Sequence, residues 1–205
     1  MTAPLTPAGF QAATGLDGTI VDRLAAYAEL LVRWQARINL VGPDTIPDLW
    51  RRHMLDSAQL LPRLPAGAKR LVDLGSGAGF PGLVLAILGA PDVHLVESDS
   101  RKAAFLREAA RVAETPVTVH AARIEKLPPL TADVVTSRAL APLDRLLGLA
   151  EPHLAPGGKC LFLKGRAAED ELTAARKEWI ITFGRTPSAT DPSGIILEIG
   201  EVRRG

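Results

Sequence analysis

Residues 70–87 read RLVDLGSGAGFPGLVLAI: a short apolar run, four glycines within eight residues, then a longer apolar run. The first run predicts a buried strand and the second a helix. The glycines between them predict a tight turn whose backbone stays open to a ligand. The same rhythm continues past Lys69. "VHLVES", "VTVHAA", "ADVVTSR" and "KCLFLK" read as further strands, and residues 82–88, 102–113 and 143–151 read as helices between them. Alternating strand and helix predicts an α/β fold with a mostly parallel sheet covered on both faces. The tail, EWIITFGRTPSATDPSGIILEIGEVRR, holds two runs joined by a Pro/Ser/Gly loop. It predicts an antiparallel pair closing one sheet edge.

The N-terminal part differs. Ile20, Leu24, Tyr27, Leu31, Trp34 and Ile38 recur at steps of three and four, the apolar stripe of an amphipathic helix, with Arg23, Arg33 and Arg37 off it. "VGPD" predicts a turn, and Asp44 or Thr45 a cap for a second helix through IPDLWRRHMLDSAQLL, before PRLPAGAK breaks the chain. Residues 1–62 are therefore expected to form a small helical extension on a main domain over 63–205. The opening MTAPLTPAGFQAATGL reads as a loose Pro/Gly-rich lead-in. With Arg23 the first basic residue, it lacks a secretory signal's charged start, which predicts a cytoplasmic protein. Cys160 is the single cysteine, so neither an internal disulfide nor a cysteine-cluster metal site is expected. The four histidines show no ligand spacing. No membrane span is expected either, since no apolar run nears the roughly 20 residues needed.

The glycine loop offers two registers. Gly77-x-Gly79-x-x-Gly82 matches the dinucleotide fingerprint, but in that fingerprint the first glycine directly follows the strand. The strand here ends near Leu74, making Gly75 the first glycine and placing Phe80 where the third belongs. Glu97 ends the next strand, where a carboxylate accepts hydrogen bonds from both ribose hydroxyls of a nucleoside. Asp73 decides between the nucleosides. It would repel a diphosphate but favours the ammonium and sulfonium of S-adenosylmethionine.

These residues carry a family resemblance. "LVDLGSGAGFPGLVLAI", "LVESDSRKAAFLRE", "VTSRALAPLDRLL" and "LAPGGKCLFLKG" resemble the bacterial 16S ribosomal RNA guanine-N7 methyltransferases, the glucose-inhibited division protein B family. "RWQARINLVGP" and "RRHMLDSAQLL" resemble the family's helical motifs, although Val41 stands where the family often has threonine. Phe80-Pro81-Gly82 and Ser137-Arg138-Ala139 are the most family-specific elements. The resemblance implies a Rossmann-like class I methyltransferase domain behind a helical cap, with S-adenosylmethionine as cofactor. It implies methylation of a guanine in the helix 18 region of 16S RNA within the small ribosomal subunit, by a monomer. It also implies that Gly75, Phe80, Ile124, Glu125 and Arg138 line the cofactor pocket, joined by Asp73, Gly77 and Glu97 from the residue reading.

Arg138 ends an otherwise apolar strand and reads as a fork for the methionine carboxylate or for a substrate phosphate. The sequence does not choose between them. Net charge is +1, so attraction to RNA must come from local patches. Arg101, Lys102 and Arg107, with Lys164 beside the cleft, are the candidate phosphate contacts, and Arg33, Arg37, Arg51, Arg52 and Arg111 extend the basic surface. His53, one turn from Asp56, reads as a structural histidine of the cap. Guanine N7 carries a free lone pair, so no general base is expected and Arg138 is the candidate positioning group. A methyltransferase of another RNA, protein or small molecule is the competing reading. An RNA-binding domain without turnover is a third.

Overall fold

The computed structural model describes residues 3–205. Strands β1 (Leu71–Leu74), β2 (Val93–Val96), β3 (Thr118–His120), β4 (Ala132–Arg138) and β5 (Leu154–Lys164) run parallel. The expected antiparallel edge is formed by β6 (Trp179–Pro187) and β7 (Ile195–Arg204), with β7 beside β5. The order β3-β2-β1-β4-β5-β7-β6 reverses direction between β1 and β4. Loops leaving those two strands diverge, which opens a crevice at their carboxyl ends.

Strand alternation separates two cores. Leu71, Leu95, Val134, Leu161 and Leu163 face α2 (Gly18–Gln35), α4 (Gly82–Ile87) and α5 (Ser100–Val112). Val72, Leu74, Val96, Val135, Cys160 and Phe162 face α6 (Leu143–Ala150) and α7 (Ala168–Ala175). The helical extension joins the first core. Leu24, Tyr27 and Leu31 of α2 are each 0% exposed within it, and burying each contributes roughly 1.5–3 kcal/mol. Tyr27 also donates its hydroxyl proton to the Ala78 carbonyl, tying α2 to the glycine loop.

Three local expectations are corrected. The lead-in contains a helix, α1 (Pro7–Thr14): Thr6 caps it by accepting from Gly9 N at 3.0 Å, and Pro7 fits the first turn because its missing N–H has no partner to lose there. The second cap helix is not continuous. Pro47 interrupts it, leaving a 3-10 turn (Pro43–Asp48), a π-helical turn (Trp50–Leu55) and a short α3 (Asp56–Ala58). Neither Asp44 nor Thr45 caps it. Finally, the glycine that lets helix approach strand is Gly82, not the position of Phe80. A Cβ on Gly82 would lie 2.5 Å from Asp73 Cβ and 2.6 Å from Leu95 Cδ2.

Candidate active site

A cavity of about 940 Å³ opens at the carboxyl ends of the parallel strands, near the top of the roughly 300–1,000 Å³ range of small-molecule sites. Gly75, Gly77, Phe80, Glu97, Ile124, Glu125 and Arg138 all line it. The topology brings them together from four strand ends.

Gly77 sits at φ 56°, a left-handed turn that aims its N–H at the end of β2. Glu97 meets it there. Its Oε2 accepts from Gly77 N at 2.9 Å and its Oε1 from Asp99 N at 2.7 Å. Each carboxylate oxygen keeps further acceptor capacity. Ile124 and Glu125 lie in a single turn (Ile124–Lys126) beyond β3, Ile124 buried and Glu125 exposed.

Asp73 departs from expectation. It is 0% exposed and lies beneath the loop instead of on the cavity wall. Thr136 donates to its Oδ1 at 2.8 Å, while Oδ2 has no hydrogen-bond partner. Burial pushes its carboxyl up to about 6. Such a group packs the loop onto the sheet.

Arg138 sits on a central strand, with a side chain 19% exposed. Its Nη1 donates to the Arg52 carbonyl and to Asp56 Oδ2, both at 3.1 Å, and its Nη2 to His53 Nδ1 at 2.8 Å. The guanidinium carbon lies 4.9 Å from the Phe80 ring centroid, and His53 stacks on the same ring at 4.8 Å. Burial first, then Arg138 and Arg52, lower His53 to about 3, so the ring is neutral. Asp56 Oδ1 also receives the Thr190 hydroxyl at 2.5 Å, fastening the β6–β7 loop to the cap. His53 is thus more than a cap residue. Its partner lies 85 positions away in sequence, a pairing that helical spacing has no means to reveal.

The basic residues divide. Lys164 is corrected: its side chain is 7% exposed, its ammonium is 2.6 Å from Glu171 and it donates to the Ala141 carbonyl at 2.8 Å. It lines the main cavity, but as the paired partner of Glu171 and not as an exposed cation. Arg101 is exposed but paired with its own helix cap, Asp99, at 3.1 Å. Arg107 borders a separate small hollow, so only Lys102 of that trio lines the main cavity. Arg123 and Arg145, absent from the sequence reading, join Lys102 at the mouth, and among the described residues none of these three pairs with a carboxylate. Their signal was positional: one follows β3 and the other opens α6.

The family model for GidB, rRNA small subunit methyltransferase G, matches residues 20–190. A protein named ribosomal RNA small subunit methyltransferase G from Paramagnetospirillum magneticum is 72% identical over 192 residues, 94% of each chain. One of the same name from Rhodospirillum rubrum is 54% identical over 200 residues, 98% of this chain and 100% of the relative. Among solved structures, a ribosomal protein L11 methylase from Lactobacillus delbrueckii superposes with TM-score 0.59 at 17% identity, covering 70% of this chain and 75% of that one. A glycopeptide N-methyltransferase complexed with S-adenosylmethionine gives TM-score 0.59 at 16% identity, covering 71% and 92%. The structural likenesses establish the class I methyltransferase fold. The family model and the close relatives span cap, glycine loop and cavity together, and the chain belongs to the rRNA small subunit methyltransferase G family.

Proposed function

We propose that this protein methylates N7 of a guanine in 16S ribosomal RNA, presented within the small ribosomal subunit, with S-adenosylmethionine as methyl donor. The observation that carries the proposal is the cavity at the β1/β4 reversal, walled by a carboxylate, an apolar residue and an arginine in a family that methylates ribosomal RNA. The residues fit the cofactor. Glu97 offers acceptor capacity on both oxygens for ribose hydroxyls, and Ile124 offers an apolar wall for adenine. Arg138 retains its Nε–H and one Nη2–H, suited to the methionine carboxylate.

When bound, S-adenosylmethionine supplies an electrophilic methyl group on a sulfonium. The chain's residues supply alignment. Phe80 fixes the plane of His53 and Arg138, Glu97 holds the loop to β2, and Lys102, Arg123 and Arg145 surround the mouth where RNA phosphates flank the entering base. No side chain takes a proton before transfer, because N7 is already nucleophilic. Both nitrogens of His53 are engaged. The single-turnover rate on small subunits is therefore expected to be flat from about pH 6 to pH 8.5. A tenfold rise per pH unit would instead indicate a target that loses a proton.

With net charge +1, a preassembled subunit is the expected substrate in preference to naked RNA. Residues 1–62 are assigned as a cap on the methyltransferase domain 63–205, supported by their shared core. The protein is assigned to the cytoplasm as a monomer. Among the described residues no helix is long and apolar enough to cross a membrane.

A further inference from the structure

The hydrogen-bond chain behind Arg138 has a single direction. A guanidinium only donates, so the 2.8 Å contact from Nη2 makes His53 Nδ1 the acceptor. A neutral imidazole then carries its proton on Nε2, which lies 2.7 Å from Thr45 Oγ1. The Thr45 hydroxyl proton is already directed at the Gly42 carbonyl, 2.6 Å away, leaving its oxygen free to accept. We propose that Thr45, by accepting from His53 Nε2–H, anchors the imidazole that Arg138 holds in this tautomer and, through it, the orientation of the Arg138 fork toward the cavity. The consequence for cofactor affinity rests on the reading of Arg138 as the carboxylate-binding residue.

The alternatives are worse on geometry. The Nδ1–H tautomer and the imidazolium both point an N–H at the guanidinium, setting donor against donor. The groups facing His53 reinforce this. Arg138 and Arg52 add positive charge, Asp56 is already bound by Arg138, and Phe80 stacks on the ring within 20° of parallel. Three of the five guanidinium N–H groups are held by the cap, through Arg52, His53 and Asp56. The remaining two are aimed by what the cap fixes. Thr45 and His53 are positioning residues by this account, and the helical cap becomes part of the cofactor site.

The test uses full-length protein with 15N-labelled histidine and arginine side chains. In the cofactor-free wild type, His53 is expected to show a bare, pyridine-like Nδ1 and a protonated Nε2 from pH 6 to pH 8, with a slowly rotating Arg138 guanidinium. Thr45→Val should remove the Nε2–H hydrogen bond, free the guanidinium and raise the S-adenosylmethionine Kd about tenfold, the scale of one misplaced hydrogen bond. Thr45→Ser should restore all three. His53→Asn, which keeps an acceptor near the Nδ1 position, should retain more affinity than His53→Leu. A protonated Nδ1 in the wild type, or a Thr45→Val protein with unchanged guanidinium rotation, would overturn the proposal. Wild-type protein that shows the expected tautomer yet binds no S-adenosylmethionine would defeat the cofactor reading and leave the tautomer assignment standing.

Discussion

Replacing Glu97 by glutamine exchanges one carboxylate oxygen for an uncharged NH2 at nearly constant shape, and the structure determines what that costs. Both carboxylate oxygens face backbone donors, Gly77 N at 2.9 Å and Asp99 N at 2.7 Å. An amide has one acceptor oxygen, so whichever way it flips, its NH2 confronts an N–H. One charge-assisted bond is lost, worth roughly 1.5–3 kcal/mol. The same side chain organises the glycine loop and, on the proposed reading, accepts the ribose hydroxyls, so the loss falls on cofactor binding. The S-adenosylmethionine Kd should rise roughly 10- to 150-fold. The proposed reading puts Glu97 against the ribose, away from the transferring methyl group, so the rate at saturating cofactor should change little while KM rises. Calorimetry at 25 °C, with circular dichroism to verify folding, reads the affinity. A Kd within twofold of wild type would refute the assignment, and an equal loss in kcat would place Glu97 nearer the chemistry than the cavity does.

Gly82→Ala should cost about 2–3 kcal/mol in urea unfolding, because its Cβ would fall 2.5 Å from Asp73 Cβ and β1 would have to part from α4; wild-type stability would remove the close-approach argument. Asp73 gives a pH signature. Its folded value near 6 lies above the ordinary 3.8, so the native state binds the proton more tightly and stability falls as pH rises between those values. Relative to Asp73→Asn, the wild type should lose about 3 kcal/mol of unfolding free energy in all, about 2 of it from pH 4 to pH 6 and nothing further above about pH 7, and a pH-independent difference would contradict this. Neutralising Lys102, Arg123 or Arg145 should flatten the salt dependence of subunit binding by about one slope unit per phosphate contact. Lys164→Met should leave that slope alone while lowering stability on the order of 2 kcal/mol, less than a fully buried pair because Glu171 is partly exposed.

The strands and α5 were legible because their apolar residues recur at the periods that burial demands. The walls of the cavity were legible because each follows a strand end, where an open parallel sheet binds ligands. What escaped depends on neighbours distant in sequence. Asp73 looks like a cleft anion until the sheet is assembled and Thr136 and Gly82 cover it. Lys164 looks like a free cation until α7 brings Glu171 against it. The α1 helix is hidden in the sequence because Pro7 and Gly9 break helices in the interior, whereas here Thr6 caps the helix and Pro7 opens it. The Arg138–His53–Thr45 chain joins three segments and has no sequence signature at all.

The central claim is methyl transfer to guanine N7 in 16S RNA. It is tested most directly on small subunits purified from cells lacking the protein, incubated with it and S-adenosylmethionine, by mapping N7-methylguanine through borohydride–aniline strand cleavage. The account predicts one new cleavage in 16S RNA, within the helix 18 region, absent when cofactor or protein is omitted. Methyl label in a ribosomal protein, or in RNA that resists this cleavage, would contradict it.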